Sequence, residues 1–139
     1  MSVDNVLIRD GSLMTSYADY TITGGKAGPG GSGQFLAVSF QASKILQINT
    51  SPTVLTYGIL QNMPAAGAAC DVGIAGITKV VAGAGITVNT EVMVDGSGRI
   101  ITWTASGTRY KIGLCLETAV LNQVVSMLIY TPNIGGTLT

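Results

Sequence analysis

Residues 73–117 read GIAGITKVVAGAGITVNTEVMVDGSGRIITWTASGTRYKIGLCLE, and they carry the clearest secondary-structure signals of the chain. Short β-branched runs alternate in it with glycine-rich corners. The clearest signal is Asp95–Gly98, which reads Asp-Gly-Ser-Gly and lies between the runs Glu91–Val94 and Ile100–Thr104. Such a turn needs residues that tolerate a positive φ, and Asp-Gly between apolar runs supplies them. The sequence therefore predicts a β-hairpin at this point.

The end of the same stretch, Tyr110–Glu117, alternates regularly and predicts a further strand. Successive side chains of a strand point to opposite faces. The prediction places on one face Tyr110, Ile112, Leu114 and Leu116, and on the other Lys111, Gly113, Cys115 and Glu117.

Similar runs continue on both sides of this stretch. Strands are predicted at Phe35–Phe40, Lys44–Ile48, Val54–Leu60, Ile74–Val81 and Val124–Tyr130. Val124–Tyr130 is apolar on both faces, which favours a central strand or a subunit contact. Ala65–Cys70 is expected to be extended, and the polar residues from Thr131 to Thr139 to form a short tail. Closely spaced strands with turn signals throughout predict an all-β fold, a small β-barrel or β-sandwich.

The N-terminal residues 1–33 differ from the rest of the chain. They show no clear period and end in the glycine-rich run Gly24–Gly33. We interpret them as an arm and a flexible joint attached to a β domain of residues 34–139. Tyr17 and Tyr20 would anchor the arm on a partner, and a merely disordered terminus is the alternative. Gly28–Gly33 matches GxGxxG, but Gly and Pro precede it and a β-like run follows, so we do not interpret it as a dinucleotide site.

Charged residues make up only 10 % of the 139 residues, and seven basic side chains balance seven acidic ones. A nucleic-acid binder would show a basic patch, so nucleic acid is not expected as a partner. No apolar run reaches the roughly 20 residues that a spanning helix needs, so no membrane partner is expected. Asp4, Arg9 and Asp10 interrupt the N-terminus, so no secretion signal is expected. A neutral, sparsely charged surface is compatible with packing against other copies, and equally with an ordinary Thr-rich β protein.

The residues available for chemistry predict that the chain is not an enzyme. It contains no histidine, which removes the commonest general base and metal ligand. Cys70 and Cys115 lie far apart without a CxxC motif, so they are expected to be free thiols and no metal site is predicted. The acidic residues are scattered among turns and the arm rather than paired. No catalytic residue, metal or cofactor is therefore expected.

An ordered set of short motifs between Tyr57 and Tyr130 resembles the capsid decoration (cement) proteins of tailed double-stranded DNA phages. In chain order the motifs are Pro64–Gly67, the strand Gly76–Val80, the Ala-Gly corner Ala82–Ile86, Asp95–Arg99 (Asp-Gly-x-Gly-Arg), Gly113–Ala119 (Gly-x-x-Leu-Glu-x-Ala) and the closing strand Val124–Ile129. Each motif alone is an ordinary hairpin element. The resemblance rests on their order.

The resemblance implies a β-tulip-like domain on the outer capsid surface of the virion, often a homotrimer. It would bind the major capsid protein, bridge its neighbouring subunits and stabilise the expanded head. The residues expected in the arm's contact with the capsid are Asp4, Arg9, Asp10, Tyr17 and Tyr20. The residues expected at a trimer or surface contact are Trp103, Tyr110 and Tyr130. For Trp103, which lies in a predicted strand beside a turn, a place in the core is the favoured alternative.

Two other functions remain open from the sequence. One is a carbohydrate-binding or adhesin-like module of a phage head fibre or tail, in which Trp103 and Tyr110 would stack on sugar rings. The other is a shell or tail-tube subunit that polymerises alone.

Overall fold

The structure, a computed structural model, describes residues 13–17, 21–23, 34–42, 45–62 and 70–137. Within these ranges the chain forms strands and turns and no α-helix. The strands are β1 Leu13–Tyr17, β2 Thr21–Thr23, β3 Ala37–Ala42, β4 Ile45–Ile48, β5 Gly58–Leu60, β6 Cys70–Gly73, β7 Gly76–Val81, β8 Thr90–Val94, β9 Ile100–Thr102, β10 Thr108–Cys115 and β11 Val124–Thr137. The all-β prediction is confirmed.

The strands form two sheets. The first has the order β1-β6-β5-β3-β4-β2, and the second has the order β7-β11-β10-β8-β9. Neighbouring strands pair antiparallel, except that β2 runs parallel to β4. β7 and β11 are adjacent although 42 residues separate Val81 from Val124, so the C-terminal strand completes the second sheet.

The hairpin predicted at Asp95–Gly98 joins β8 to β9, with Val94 opposite Ile100. The Asp95 carboxylate organises the turn, because its Oδ1 accepts hydrogen bonds from the backbone N–H groups of Ser97 (2.7 Å) and Arg99 (2.9 Å). Gly98 adopts a φ of +84°. Its carbonyl accepts a bond from the N–H of Ala37 (2.9 Å), so this turn also ties the second sheet to β3 of the first.

The core consists of two clusters of buried apolar residues. The cluster under the second sheet includes Ala37 and Ile59 from the first sheet. The cluster under the first sheet includes Val81 from the second. Because each sheet contributes residues to the other's cluster, burial of apolar surface joins the two sheets into one unit.

The predicted alternation of β10 is wrong beyond Ile112. Ile112 and Cys115 are both buried in the core, whereas Leu114 and Leu116 are half-buried on the opposite face. The reason is an irregularity in the β10–β11 pairing: Lys111 lies opposite Ile134, but Gly113 lies opposite Ile129. Residues 130–133 of β11 thus lie opposite Ile112 alone, and the regular alternation of β10 is interrupted at this break in the pairing.

The tail predicted from Thr131 is wrong for the residues up to Thr137, which continue β11. They pair with the first half of β10, from Thr108 opposite Thr137 to Lys111 opposite Ile134. Polar residues and glycine do not show the apolar alternation from which a strand is predicted. Their backbone N–H and C=O groups can nevertheless form the hydrogen bonds of a β-ladder. The internal position predicted for Val124–Tyr130 is confirmed, because β11 lies between β7 and β10.

The strand predicted over Val54–Leu60 is shorter than expected, with only Gly58–Leu60 paired. The buried side chain of Asn49 accounts for the difference. Its Oδ1 accepts the N–H of Ser51 (3.1 Å), and its Nδ2 donates to the carbonyl of Val54 (3.1 Å) and to Thr56 Oγ1 (2.9 Å). These bonds hold the intervening residues in turns rather than in a ladder.

β1 and β2 fall within the segment predicted to be an arm. β1 pairs with β6 and β2 pairs with β4, so these residues belong to the first sheet. The other residues of the segment, and residues 65–69 of the predicted extended stretch, lie outside the described ranges. The domain division at residue 33 stays a prediction.

Candidate functional site

Two of the three predicted contact residues of the β domain lie in one group on the outer face of the second sheet. This group, the outer cluster, consists of Glu91, Trp103, Lys111 and Tyr130. The four residues come from neighbouring strands, with Glu91 on β8, Lys111 on β10, Tyr130 on β11 and Trp103 directly after β9. The sequence identified the two aromatic residues but not the charged pair between them, because that pairing depends on the order of the strands.

Glu91 is the centre of the outer cluster. Its Oε1 lies 3.0 Å from Lys111 Nζ, and its Oε2 accepts a hydrogen bond from Tyr130 Oη (2.9 Å). Lys111 Nζ also lies 4.4 Å from the centre of the Trp103 ring, a cation–π contact. The carboxylate, the ammonium and the phenol therefore all have partners within the cluster.

These contacts change the acidity of both Tyr130 and Glu91. The hydrogen bond from Lys111, and then that from Tyr130, hold the pKa of Glu91 below its usual range. Burial raises the pKa of Tyr130, and the hydrogen bond to the Glu91 carboxylate raises it further. At neutral pH the Glu91 carboxylate is therefore ionised and the Tyr130 phenol is neutral. The same contacts tie Glu91 to side chains of both neighbouring positions on the sheet, Lys111 and Tyr130.

Trp103 is fixed by more than the lysine. Its Nε1 donates to the Arg109 carbonyl (3.1 Å) and its backbone N–H donates to the carbonyl of Glu91 (2.9 Å). The side chain is half-buried, and Lys111 covers one face of its ring. Stacking on a ligand is therefore limited to the other face.

Tyr110 lies apart from the outer cluster. It is half-buried, its backbone N–H donates to the Pro52 carbonyl (2.9 Å), and its backbone pairs with Gly135 of β11. The structure therefore does not bring Tyr110 and Trp103 together in one site.

A cavity of about 320 Å³ lies beside Tyr130, lined by Phe40, Leu55, Thr56, Tyr57, Ile74, Tyr130 and Asn133. Its lining is mostly apolar, and the polar groups of Thr56 and Asn133 are engaged within the wall. Asn133 Oδ1 accepts the N–H of Thr56 (2.7 Å), and its Nδ2 donates to the Tyr130 carbonyl (3.3 Å). Thr56 Oγ1 accepts from Asn49. This wall suits apolar groups better than a polar small molecule.

Of the five residues predicted to form the arm's contact with the capsid, the structure describes only Tyr17. Tyr17 is the last residue of β1 and pairs with Cys70. Asp4, Arg9, Asp10 and Tyr20 lie outside the described ranges. All five remain predictions.

In the ranges that the structure describes, no three His, Cys, Asp or Glu side chains come together as a metal site would require. Cys115 is a buried free thiol whose Sγ donates to the Glu117 carbonyl (3.0 Å). No helix long and apolar enough to cross a bilayer occurs in the part of the chain that the structure describes.

An apolar row on the outer face of the second sheet was not singled out from the sequence. Ile77 of β7, Leu128 of β11 and Leu114 of β10 lie side by side, because Leu128 pairs with Ile77 on one side and with Leu114 on the other. Ile77 is 52 % exposed and Leu128 is 37 % exposed. The sequence feature that could have identified this row is the apolar character of both faces of Val124–Tyr130.

Among solved structures, the chain is similar to the head fibre gp8.5 N base of bacteriophage phi29. The TM-score is 0.61 at 18 % sequence identity, and the match covers 88 % of this chain and 98 % of that one. At this identity the similarity concerns the fold. No protein-family model and no curated protein matches the chain.

Proposed function

We propose that this chain is a structural protein of a tailed-phage head, attached to the outer surface of the capsid. The observation that carries the proposal is the similarity of fold to a head fibre base, which extends over almost the whole of both chains. The motif order that resembles capsid decoration proteins supports the same location.

In its finer form, the proposal is that the chain acts as a decoration protein that bridges neighbouring major capsid protein subunits. A ligand that binds only the assembled, expanded lattice stabilises that lattice by mass action. Many equivalent copies on one head then act together, so modest affinity at each site suffices. The sparse, balanced charge supports this role, because such a surface is easily desolvated against a partner.

The proposal includes no catalysis and no cofactor, metal, nucleic acid or membrane. Its support is the absence of histidine from the sequence and the engagement of Glu91 and Asp95 in ion pairs with Lys111 and Arg99. The homotrimer implied by the resemblance also remains a proposal.

The test is binding to purified expanded capsids that lack the protein, measured by co-sedimentation and located by electron cryomicroscopy. We expect regular density on the outer surface. Capsids that stay bare at micromolar protein would contradict the proposal.

The arm contact is tested by substitution, because deletion of residues 1–33 would also remove β1 and β2. We expect Arg9→Ala with Asp10→Ala, and separately Tyr20→Ala, to weaken capsid binding without changing the circular dichroism of the chain. Val88→Ala, at an exposed turn residue of the β domain, is the matched control. Equal binding by all three variants would remove the arm from the contact.

A second candidate function is a carbohydrate-binding module of a head fibre. It is favoured by the comparison with a fibre base and by the half-buried ring of Trp103. Replacing both Trp103 and Tyr110 with Ala should abolish retention on a glycan array if this function holds. Unchanged retention of the double variant, or no retention by the unaltered chain, would exclude it.

A further inference from the structure

The cavity beside Tyr130 continues the core cluster that lies under the first sheet. Tyr57 and Ile74 line the cavity and also pack against that cluster. The other apolar side chains of its wall include Phe40 and Leu55, and Leu55 is 56 % exposed. Apolar groups bound in the cavity would therefore extend the core and remove exposed apolar surface from water.

The size and lining of the cavity limit what can occupy it. A volume of about 320 Å³ corresponds to roughly ten water-sized groups at about 30 Å³ each. Carbon atoms with their hydrogens take up similar space, so the cavity suits two or three aliphatic side chains. The polar groups of Thr56 and Asn133 are bonded within the wall, which favours an apolar occupant over a polar one.

The N-terminal end of β1 lies next to this cavity. β1 runs antiparallel to β6, with Leu13 opposite Gly73. β6 ends at Gly73, and the next residue is Ile74, which lines the cavity. The chain that precedes Leu13 therefore leaves the first sheet beside one wall of the cavity.

Residues 1–12 contain a segment of the required chemistry. Val6–Ile8 is a run of three large aliphatic residues, flanked by polar and charged residues at positions 4–5 and 9–10. No other segment outside the described ranges contains such a run. Ile8 precedes Leu13 by five residues, which span at most about 18 Å. The run is thus within reach of the cavity, and the charged residues beside it can remain in water.

We propose that Val6–Ile8 bind in the cavity of their own chain, with their aliphatic side chains against Leu55, Tyr57 and Ile74. This docking goes beyond the proposed function, and it is tested on the protein in solution without capsids. The two proposals can therefore fail separately. Docking also places Arg9 and Asp10 at the mouth of the cavity, so in the proposed capsid contact these charges would be presented from a defined position. That consequence alone rests on the proposed function.

NMR spectroscopy of the full chain detects the contact directly. We expect nuclear Overhauser effects between the methyl groups of Val6–Ile8 and the rings of Tyr57 and Tyr130. An equimolar mixture of isotope-labelled and unlabelled chains distinguishes docking within one chain from docking on a neighbouring copy. Absence of these effects, or effects that pass between labelled and unlabelled chains, would overturn the proposal.

Trypsin provides a second test, because it cleaves after Arg9 and docking should protect that bond. Val6→Ser, Leu7→Ser and Ile8→Ser together should speed this cleavage about tenfold or more, because the docked run loses its aliphatic contacts. Leu55→Ser should also speed it, and this variant leaves the sequence around the cleaved bond unaltered.

The chain offers matched controls for both variants. Val3→Ser removes an aliphatic residue of the same segment outside the run, and Val54→Ser removes one that is 43 % exposed and does not line the cavity. Both should leave the rate after Arg9 unchanged, with cleavage after Lys26 as the internal reference. Circular dichroism verifies that all variants are folded. An unchanged rate after Arg9 in the triple variant and in Leu55→Ser would overturn the proposal.

Discussion

Gly98 shows how much one residue contributes to the contact between the sheets. Its φ of +84° suits glycine, and a Cβ added there would lie 2.5 Å from Ile48 Cγ2, inside the core. We expect Gly98→Ala to lower the free energy of unfolding by about 2–4 kcal/mol, from backbone strain plus displacement of Ile48. Urea denaturation measures this. Gly96→Ala, in the same turn with no atom within 4 Å, should change stability by less than about 0.5 kcal/mol, and equal losses would contradict the explanation.

Glu91 provides a prediction about acidity at the same scale. Lys111 lowers its pKa most and Tyr130 next, so Lys111→Met should raise the pKa of Glu91 more than Tyr130→Phe does. NMR titration of the Glu91 side chain measures both. Because the folded pKa lies below the unfolded one, the stabilisation by Glu91 is present above the usual glutamate range and is lost as the pH falls through the lowered pKa. A Glu91 pKa unchanged in both variants would contradict the assigned contacts.

At the scale of elements, β11 gives the clearest prediction. A chain that ends at Tyr130 lacks the partners of Thr108–Lys111 and also Asn133, which accepts the N–H of Thr56. Several backbone bonds at roughly 1 kcal/mol each give an expected loss of about 2–5 kcal/mol. Denaturant unfolding of this chain and of one ending at Thr137 makes the comparison. Stabilities within 0.5 kcal/mol of each other would mean that residues 131–137 act as a tail.

The elements also show what the sequence could and could not predict. Asp95–Gly98 was predictable because turn chemistry is local: Asp95 bonds to backbone groups two and four residues away. The burial of Cys115 was not, because it depends on a bulge in β11, a strand separated from β10 by a loop. Half of the outer cluster could be predicted, because Trp103 and Tyr130 are recognisable as candidate contact residues from the sequence. The Glu91–Lys111 ion pair could not, because it depends on the pairing of β8 with β10.

In the whole molecule, each core cluster contains residues of both sheets. Ala37 and Ile59 of the first sheet lie in the cluster under the second, and Val81 of the second sheet lies in the cluster under the first. We therefore expect the sheets to unfold together in one transition. Trp103 is the single tryptophan and reports on the second sheet, while far-UV circular dichroism reports on both. Their urea midpoints should coincide. Loss of the tryptophan signal at a lower urea concentration would show that the second sheet melts independently.

The position of β11 in the second sheet also has a consequence for the speed of folding. β7 and β10 flank it, and the contacts of β7 with β11 join residues more than 40 positions apart in the chain. Until β11 arrives, both flanking strands expose an unpaired edge, and closing so long a loop is slow. The addition of β11 should thus limit the rate of refolding. The yield of refolding should fall as the protein concentration rises, because a strand of another chain can pair with the exposed edge of β7 or β10 before β11 does.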